Sequence, residues 1–254
     1  MVSPIVRIAS GKDVKQRAKQ HSPDGLIRCT IWGCFRPTQS SSGKGLSEVY
    51  CKPHQEHIRR HGHPTRRSYT VKELAPYRKA AREWLKQHRD SPYVKGAITL
   101  LDGRMATQGR PKGPDYQRAM KPVEKAHNTL AKLHEAGKTG EQLLEIVLTI
   151  KAAHSELGPH GAPDWEAVQI AKMAKRLRGA SGTIQRNFEG KRMSDVWPNA
   201  DSRWKRDWQR WPRAEGNFMR HLGRMIEEKA AYAIDGALSG GETIEEVKAL
   251  RRKY

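Results

Sequence analysis

Four potential zinc ligands that lie close together in the sequence restrict the fold of this chain more than any other feature. All three cysteines of the 254 residues lie between positions 29 and 51, and a histidine follows the last of them. Cys29, Cys34, Cys51 and His54 have the spacing C-x4-C-x16-C-x2-H. Two ligand pairs on tight turns, joined by a longer loop, are typical of a tetrahedral Zn²⁺ site. We therefore expect the N-terminal part of the chain to fold around zinc.

The chemistry of these ligands indicates a structural rather than a catalytic site. Three thiolates and one imidazole fill a tetrahedral coordination shell and leave no position open for a substrate. Gly33 lets the backbone curl before Cys34, and Pro53 suits the start of a helix. His57 is an alternative fourth ligand because it lies one helical turn after His54, although the tight two-residue turn favours His54. Three free cysteines are the simpler alternative, and their odd number argues against disulfides.

Three short motifs lie between Cys29 and Pro64. They read Cys29-x-Ile31-x-Gly33-Cys34-x-Arg36-Pro37, Tyr50-Cys51-x-x-His54 and Arg59-Arg60-His61-Gly62-His63-Pro64. This segment, residues 26–67, resembles a short zinc-binding module of bacteriophage and mobile-element proteins, which often accompanies HNH-type endonuclease domains or other DNA-binding parts. The resemblance implies Cys29, Cys34, Cys51 and His54 as metal ligands, followed by a basic helix. The loop 38–45 is longer than is usual in the module, and we expect it to be mobile.

A net charge of +21 indicates a polyanionic partner. The chain has 48 lysines and arginines against 27 aspartates and glutamates. The excess of positive charge is largest in residues 1–70, which contain 13 basic and 4 acidic residues. Self-repulsion of this size is tolerated most easily when a polyanion neutralises it. We therefore expect a nucleic acid as the partner, DNA rather than RNA, with an acidic protein as the alternative.

Basic residues cluster where a short helix is predicted to leave the zinc site. Residues 54–61 predict a helix that ends at Gly62 and Pro64. Four arginines lie at its exit, namely Arg59, Arg60, Arg66 and Arg67. Their planar guanidinium groups suit phosphates and the edges of guanine bases. We predict that these arginines contact nucleic acid.

A second basic segment is rich in tryptophan. Trp204, Trp208 and Trp211 have the spacing i, i+4 and i+7, so they share one face of a predicted helix. They could stack on bases or pack in the core, and we favour the core because stripes at helical spacing are usually buried. The cations between them are predicted phosphate contacts: Arg203, Lys205, Arg206 and Arg210.

The rest of the chain has apolar residues at helical spacing, and no stretch alternates convincingly at period two. We predict a mainly α-helical protein with little sheet, in which a small N-terminal zinc-binding module precedes a helical body. Helix starts are predicted at Thr70, Ser91, Asp115, Thr139, Asp164, Ala214 and Thr243. Segments rich in helix breakers suggest four parts: a basic arm (1–25), the zinc module (26–68), a helical domain (69–158) and a helical C-terminal region (159–254).

The sequence has no feature typical of a membrane or secreted protein. No apolar run approaches the roughly 20 residues that a membrane span needs. The N-terminus lacks the apolar stretch of a secretion signal. We expect a soluble cytoplasmic protein that associates with the nucleoid or acts in a host cell.

These observations predict a non-enzymatic, zinc-stabilised nucleic-acid-binding protein of a phage or mobile genetic element, acting in regulation, recombination or packaging. The helical body would present the zinc module and mediate self-association or contact a protein partner. One alternative is a nuclease or an accessory subunit of one, because the module resembles one that accompanies HNH domains. Against an enzyme, no Asp-His pair is followed by a suitably spaced Asn and His. Another alternative is an adaptor that binds an acidic protein.

Overall fold

The structure is a computed structural model that describes residues 27–112, 116, 119–159, 163–177, 216–237 and 242–254. These residues contain eight α-helices, numbered here in chain order. They are α1 (Lys52–His61), α2 (Val71–Gln87), α3 (Pro92–Ala106), α4 (Pro122–Glu135), α5 (Gly140–Leu157), α6 (Pro163–Arg176), α7 (Asn217–Ala237) and α8 (Glu242–Arg251). The chain divides into two compact units, Met1–Arg66, which contains α1, and Arg67–Tyr254, which contains the other helices.

The mainly α-helical architecture predicted from the sequence is confirmed. Within the described ranges no strands pair into a sheet, and an isolated antiparallel bridge joins Arg28 to Pro37. A cluster of cysteines and a histidine lies in the N-terminal unit, as predicted. Among the same described residues, no helix combines the length and the apolar character needed to cross a bilayer.

Helix α5 lies at the centre of the second unit. Its residues 143–150 are all buried, on every face of the helix. Such a helix is stable when neighbours cover it, and α2, α3, α6, α7 and α8 all pack against it. Leu157 is 39% exposed because it lies in the last turn of α5, beyond the packed stretch.

Helix α7 is the second organising element of this unit. It packs against α3, α4 and α6 as well as against α5 and α8. Apolar residues at helical spacing line one of its faces, where Phe218, Leu222, Ile226 and Ala233 are buried and Met225 is partly buried. The core is therefore built from amphipathic helices arranged around α5 and α7.

Predicted helix starts agree with the structure where the capping chemistry is local. Three of them are N-cap residues of α2, α3 and α5, namely Thr70, Ser91 and Thr139. The starts predicted at Asp115 and Ala214 lie outside the described residues, and α4 begins at Pro122, where proline suits the first turn. Thr243 lies inside α8, and its hydroxyl donates to the carbonyl of Ile234 (3.1 Å) instead of capping the helix.

Charged side chains at the margin of the core connect particular helices. The carboxylate of Glu145 on α5 pairs with Arg78 (2.5 Å) and Arg82 (3.1 Å) of α2. The indole of Trp84 on α2 donates to Glu246 of α8 (2.8 Å). A buried polar group costs free energy unless it is paired. These contacts therefore help to determine which helix faces meet.

Thr70→Ala is expected to lower the free energy of unfolding of the second unit by about 1 kcal/mol. The Thr70 hydroxyl accepts a hydrogen bond from the Glu73 amide (3.2 Å), and the Glu73 carboxylate accepts one from the Thr70 amide (2.6 Å). Ser91→Ala is the matched control, because Ser91 is the N-cap of α3 but makes no capping bond with its side chain. Urea unfolding followed by circular dichroism measures both variants, and equal losses would contradict the capping role.

Candidate metal centre

The first ligand pair lies on a tight turn. The Cys34 amide donates to the carbonyl of Ile31 (2.9 Å), and Gly33, at the third position of this turn, has φ 75°. Glycine reaches this left-handed conformation without the steric cost that other residues meet. The Cys29 amide donates to the carbonyl of Arg36 (2.9 Å), which closes the segment on itself. The turn thereby brings Cys34 back toward Cys29.

The second ligand pair lies at the start of α1. Cys51 is the N-cap residue of the helix, and a proline occupies its first turn. His54 lies within the first turn, so its Nδ1 comes within 3.3 Å of the Cys51 Sγ. The helix ends at Gly62, which has φ 81° and donates its amide to the carbonyl of Ile58 (2.7 Å). This end was predicted from the sequence.

Backbone hydrogen bonds hold the two ligand pairs together. The Thr30 amide donates to the carbonyl of Val49 (3.1 Å), which joins the segment of the first pair to the residues before the second. The connecting loop, predicted to be mobile, is bridged by a bond from the Ser40 amide to the carbonyl of Ser47 (3.0 Å). Thr38 at its base is fully buried. These contacts restrict the backbone of the loop.

The four predicted ligand atoms converge on one point. The His54 Nδ1 lies 3.3 Å from the Sγ of Cys29 and 3.3 Å from that of Cys51, and the Sγ atoms of Cys34 and Cys51 are 3.8 Å apart. All four atoms lie within 4.8 Å of one another. Tetrahedral bonds of about 2.3 Å to sulfur and about 2.0 Å to nitrogen would separate the ligand atoms by roughly 3.5–3.8 Å. The Cys3His group could therefore hold a metal ion.

His57, the alternative fourth ligand, has other contacts. Its Nδ1 donates to the carbonyl of His63 (2.7 Å), and its ring stacks on that of His61 with centroids 4.3 Å apart. The group that could hold a metal contains His54 and not His57.

The thiols of the cluster differ in their electrostatic surroundings. Burial acts to raise the pKa of Cys29, but hydrogen bonds from the amides of Cys51 and Ile31 and from His54 outweigh it and lower the pKa to about 6. Burial raises the pKa of Cys51, and the neighbouring Cys29 and Cys34 raise it further. Metal binding requires the thiolate form, so a divalent cation would favour deprotonation of all three cysteines.

The arginines predicted to contact nucleic acid fall in both units. Arg59 and Arg60 lie in the last turn of α1 and are exposed, as is Arg66. Arg67 belongs to the second unit and pairs with Glu73 (3.3 Å). The other predicted contacts, in the tryptophan-rich segment, lie outside the described residues: Arg203, Lys205, Arg206 and Arg210.

An open groove of about 820 Å³ lies between the connecting loop and α1. Lys44, Lys52 and Arg59 line it together with Glu48 and Glu56. Because the acidic side chains offset the basic ones, the groove is less suited to phosphates than the exposed last turn of α1.

Two exposed aromatic residues lie beside Cys34, and no sequence pattern singled them out. Trp32 is 99% exposed and Phe35 is 76% exposed. Arg28 and Arg36, close to them in the chain, are exposed as well. A signal was present for Trp32, because only four residues separate Cys29 from Cys34 and so short a segment offers little chain that could bury an indole. The helical spacing of tryptophans instead indicated Trp204, Trp208 and Trp211 as candidate stacking residues.

Comparison of the chain with protein-family models, with curated proteins and with solved structures found no match in any of the three.

Proposed function

We propose that residues 27–66 form a zinc-stabilised module that binds nucleic acid, with DNA favoured, and that it does so without catalysing a reaction. One observation carries this proposal: a Cys3His cluster that could hold a metal ion takes two of its ligands, Cys51 and His54, from the start of α1, and the last turn of the same helix exposes Arg59 and Arg60.

Zinc fits the residues of the cluster better than other common metals. Thiolates are soft ligands, and a tetrahedral set of three sulfurs and one imidazole is characteristic of structural Zn²⁺. Cys29, Cys34, Cys51 and His54 would hold the ion and fill its coordination shell. The ion would supply structure rather than Lewis-acid chemistry, because no position remains for a substrate.

The charge of the module supports a nucleic acid as its partner. Residues 27–66 contain seven basic residues, namely Arg28, Arg36, Lys44, Lys52, Arg59, Arg60 and Arg66, against Glu48 and Glu56. All seven basic residues are exposed. Exposed arginines and lysines bind phosphates and release the counterions of the polyanion. The metal would hold α1 in place, since a helix of 10 residues is marginal in isolation.

The double variant Arg59→Gln, Arg60→Gln is expected to bind nucleic acid more weakly and with a smaller dependence on salt. Each lost phosphate contact reduces the slope of log K against log salt by about 0.7–0.9, so the slope should fall by about 1.4–1.8. Fluorescence anisotropy with a labelled oligonucleotide at several salt concentrations measures both quantities.

A matched control removes the same charge elsewhere. Lys229 and Lys248 lie on the second unit and pair with Glu228 (2.7 Å) and Glu245 (2.7 Å). The double variant Lys229→Gln, Lys248→Gln lowers the net charge equally and should leave the salt slope unchanged. An equal fall in both variants would contradict a specific contact at α1. Cleavage of the oligonucleotide when Mg²⁺ is added would favour the nuclease alternative.

A further inference from the structure

We propose that the zinc module binds unpaired nucleotides, with Trp32 and Phe35 as the side chains on which bases stack. This inference rests on the proposed nucleic-acid function and extends it by naming the class of ligand, a single-stranded stretch rather than a regular duplex.

The two aromatic side chains are presented by the backbone of the metal site. Trp32 occupies the second position of the turn that the Cys34 amide closes on Ile31, and Phe35 directly follows Cys34. Two of the four potential metal ligands, Cys29 and Cys34, therefore bracket the turn that carries Trp32. A ring on a turn held in this way loses little conformational entropy when it binds a ligand.

The two rings do not take part in the packing of the module. Trp32 is 99% exposed and Phe35 is 76% exposed, so neither ring contributes to a core. Ile27, which is 54% exposed, adds a third large apolar side chain within nine residues. Single exposed apolar side chains are ordinary on protein surfaces, and three large ones within nine residues of a small module suggest a binding site.

Basic groups accompany the rings. The Arg28 Nη1 donates to the carbonyl of Phe35 (2.5 Å), which holds this guanidinium against the backbone of the residue that carries the second ring. Arg36 follows Phe35 and is exposed. Aromatic rings for the bases and cations for the backbone are the combination by which proteins bind single strands.

Unpaired bases fit this surface better than the two other candidate ligands. In a duplex the base faces are stacked on one another, so a flat ring finds no partner there. A protein partner that covered the rings would have to supply an acidic group for each of the two neighbouring arginines. Without such acidic groups, the guanidinium groups of Arg28 and Arg36, which neighbour the rings in the chain, would lose their hydration with no anion in return.

The test compares binding of zinc-loaded, full-length protein to a labelled oligothymidylate and to a duplex of the same length. Stacking contributes enough per base that Trp32→Ala should weaken single-strand binding about 5- to 150-fold, and Phe35→Ala should act in the same direction. Duplex binding should change less than about twofold. Trp32→Phe, which keeps a ring, should retain most of the affinity for the single strand.

Leu46→Ala is the matched control, since Leu46 is 52% exposed in the same module and directly follows the loop 38–45. It should leave single-strand binding unchanged. Zinc content is measured for every variant, and Phe35→Ala provides a second reading if Trp32→Ala loses the metal.

Each other outcome has a defined meaning. If the wild-type protein binds the duplex as tightly as the single strand, and neither aromatic variant affects either, the stacking surface is refuted while the proposed function stands. If the wild-type protein binds neither oligonucleotide, the proposed function itself fails. If poly-glutamate binds in a Trp32-dependent manner and the single strand does not, the surface recognises an acidic protein and the inference is overturned.

Discussion

Chains carrying Cys51→Ser are expected to contain almost no zinc and to lose the fold of residues 27–66. Within this stretch the buried residues are two of the proposed ligands, Cys29 and Cys51, together with Thr38 and Ser41. Helix α1 has no buried residue. Without an apolar core the module depends on the metal, which in comparable small sites contributes about 10–16 kcal/mol of apparent binding free energy.

Metal analysis and hydrogen exchange measure the two parts of this prediction. The wild-type protein should contain about one zinc per chain, and the amides of Cys29, Cys34 and Gly62 should be protected from exchange. In Cys51→Ser this protection should disappear, whereas helices α2–α8, which have a core of their own, should keep theirs.

Matched substitutions of His54 and His57 test which of the two histidines is the fourth ligand. His54→Gln should lose zinc, because the Nδ1 of His54 lies 3.3 Å from two of the sulfurs. His57→Gln should keep it, because the Nδ1 of His57 is bonded to the carbonyl of His63. A module that keeps its amide protection after complete removal of the metal would falsify the structural role of zinc.

Gly223→Ala is expected to destabilise the second unit by about 2–3 kcal/mol. Gly223 lies on α7 where this helix crosses α6, and a Cβ atom there would come 1.9 Å from the carbonyl oxygen of Ala167 and 2.7 Å from its Cα. Both atoms belong to the backbone, so a side-chain rotation cannot relieve the clash. The two helices would have to separate and leave voids between them.

Gly103→Ala is the matched control for this prediction. Gly103 lies inside α3, and a Cβ atom there would meet nothing within 4 Å. Alanine should therefore stabilise the unit by about 0.5–1 kcal/mol through its higher helix propensity. Urea unfolding followed by the helical circular-dichroism signal measures both variants. The absence of destabilisation in Gly223→Ala would contradict the close approach of α6 and α7, and destabilisation by Gly103→Ala would contradict the open space around Gly103.

The features that the sequence predicted are those in which the interacting residues are neighbours in the chain. The spacing of Cys51 and His54 is that of one turn, and the structure brings their side chains together. The capping box of Thr70 and Glu73 is likewise contained in four residues. Hydrophobic periodicity identified the buried faces of α2, α3 and α7 because a face is defined by the helix itself.

Other features depend on residues that are far apart in the chain. Periodicity placed one apolar face on α5, but five neighbouring helices bury its residues 143–150 all round. The indole of Trp84 meets Glu246, 162 residues later. The helical spacing of tryptophans predicted an indole face in the segment 204–211. In the described part of the chain, the exposed tryptophan is instead Trp32, which belongs to no such pattern.

The sequence by itself determined the identity and order of the potential metal ligands, the helical class of the protein and several helix caps, because these follow from bonds and spacings within a few residues. The tertiary structure decided the burial of α5 on all sides, the tight crossing at Gly223 and the exposure of Trp32 and Phe35. Whether a residue is buried depends on the parts of the chain that pack around it. Its local preferences are the same in a buried and in an exposed position, so they do not predict which of the two the fold will give it.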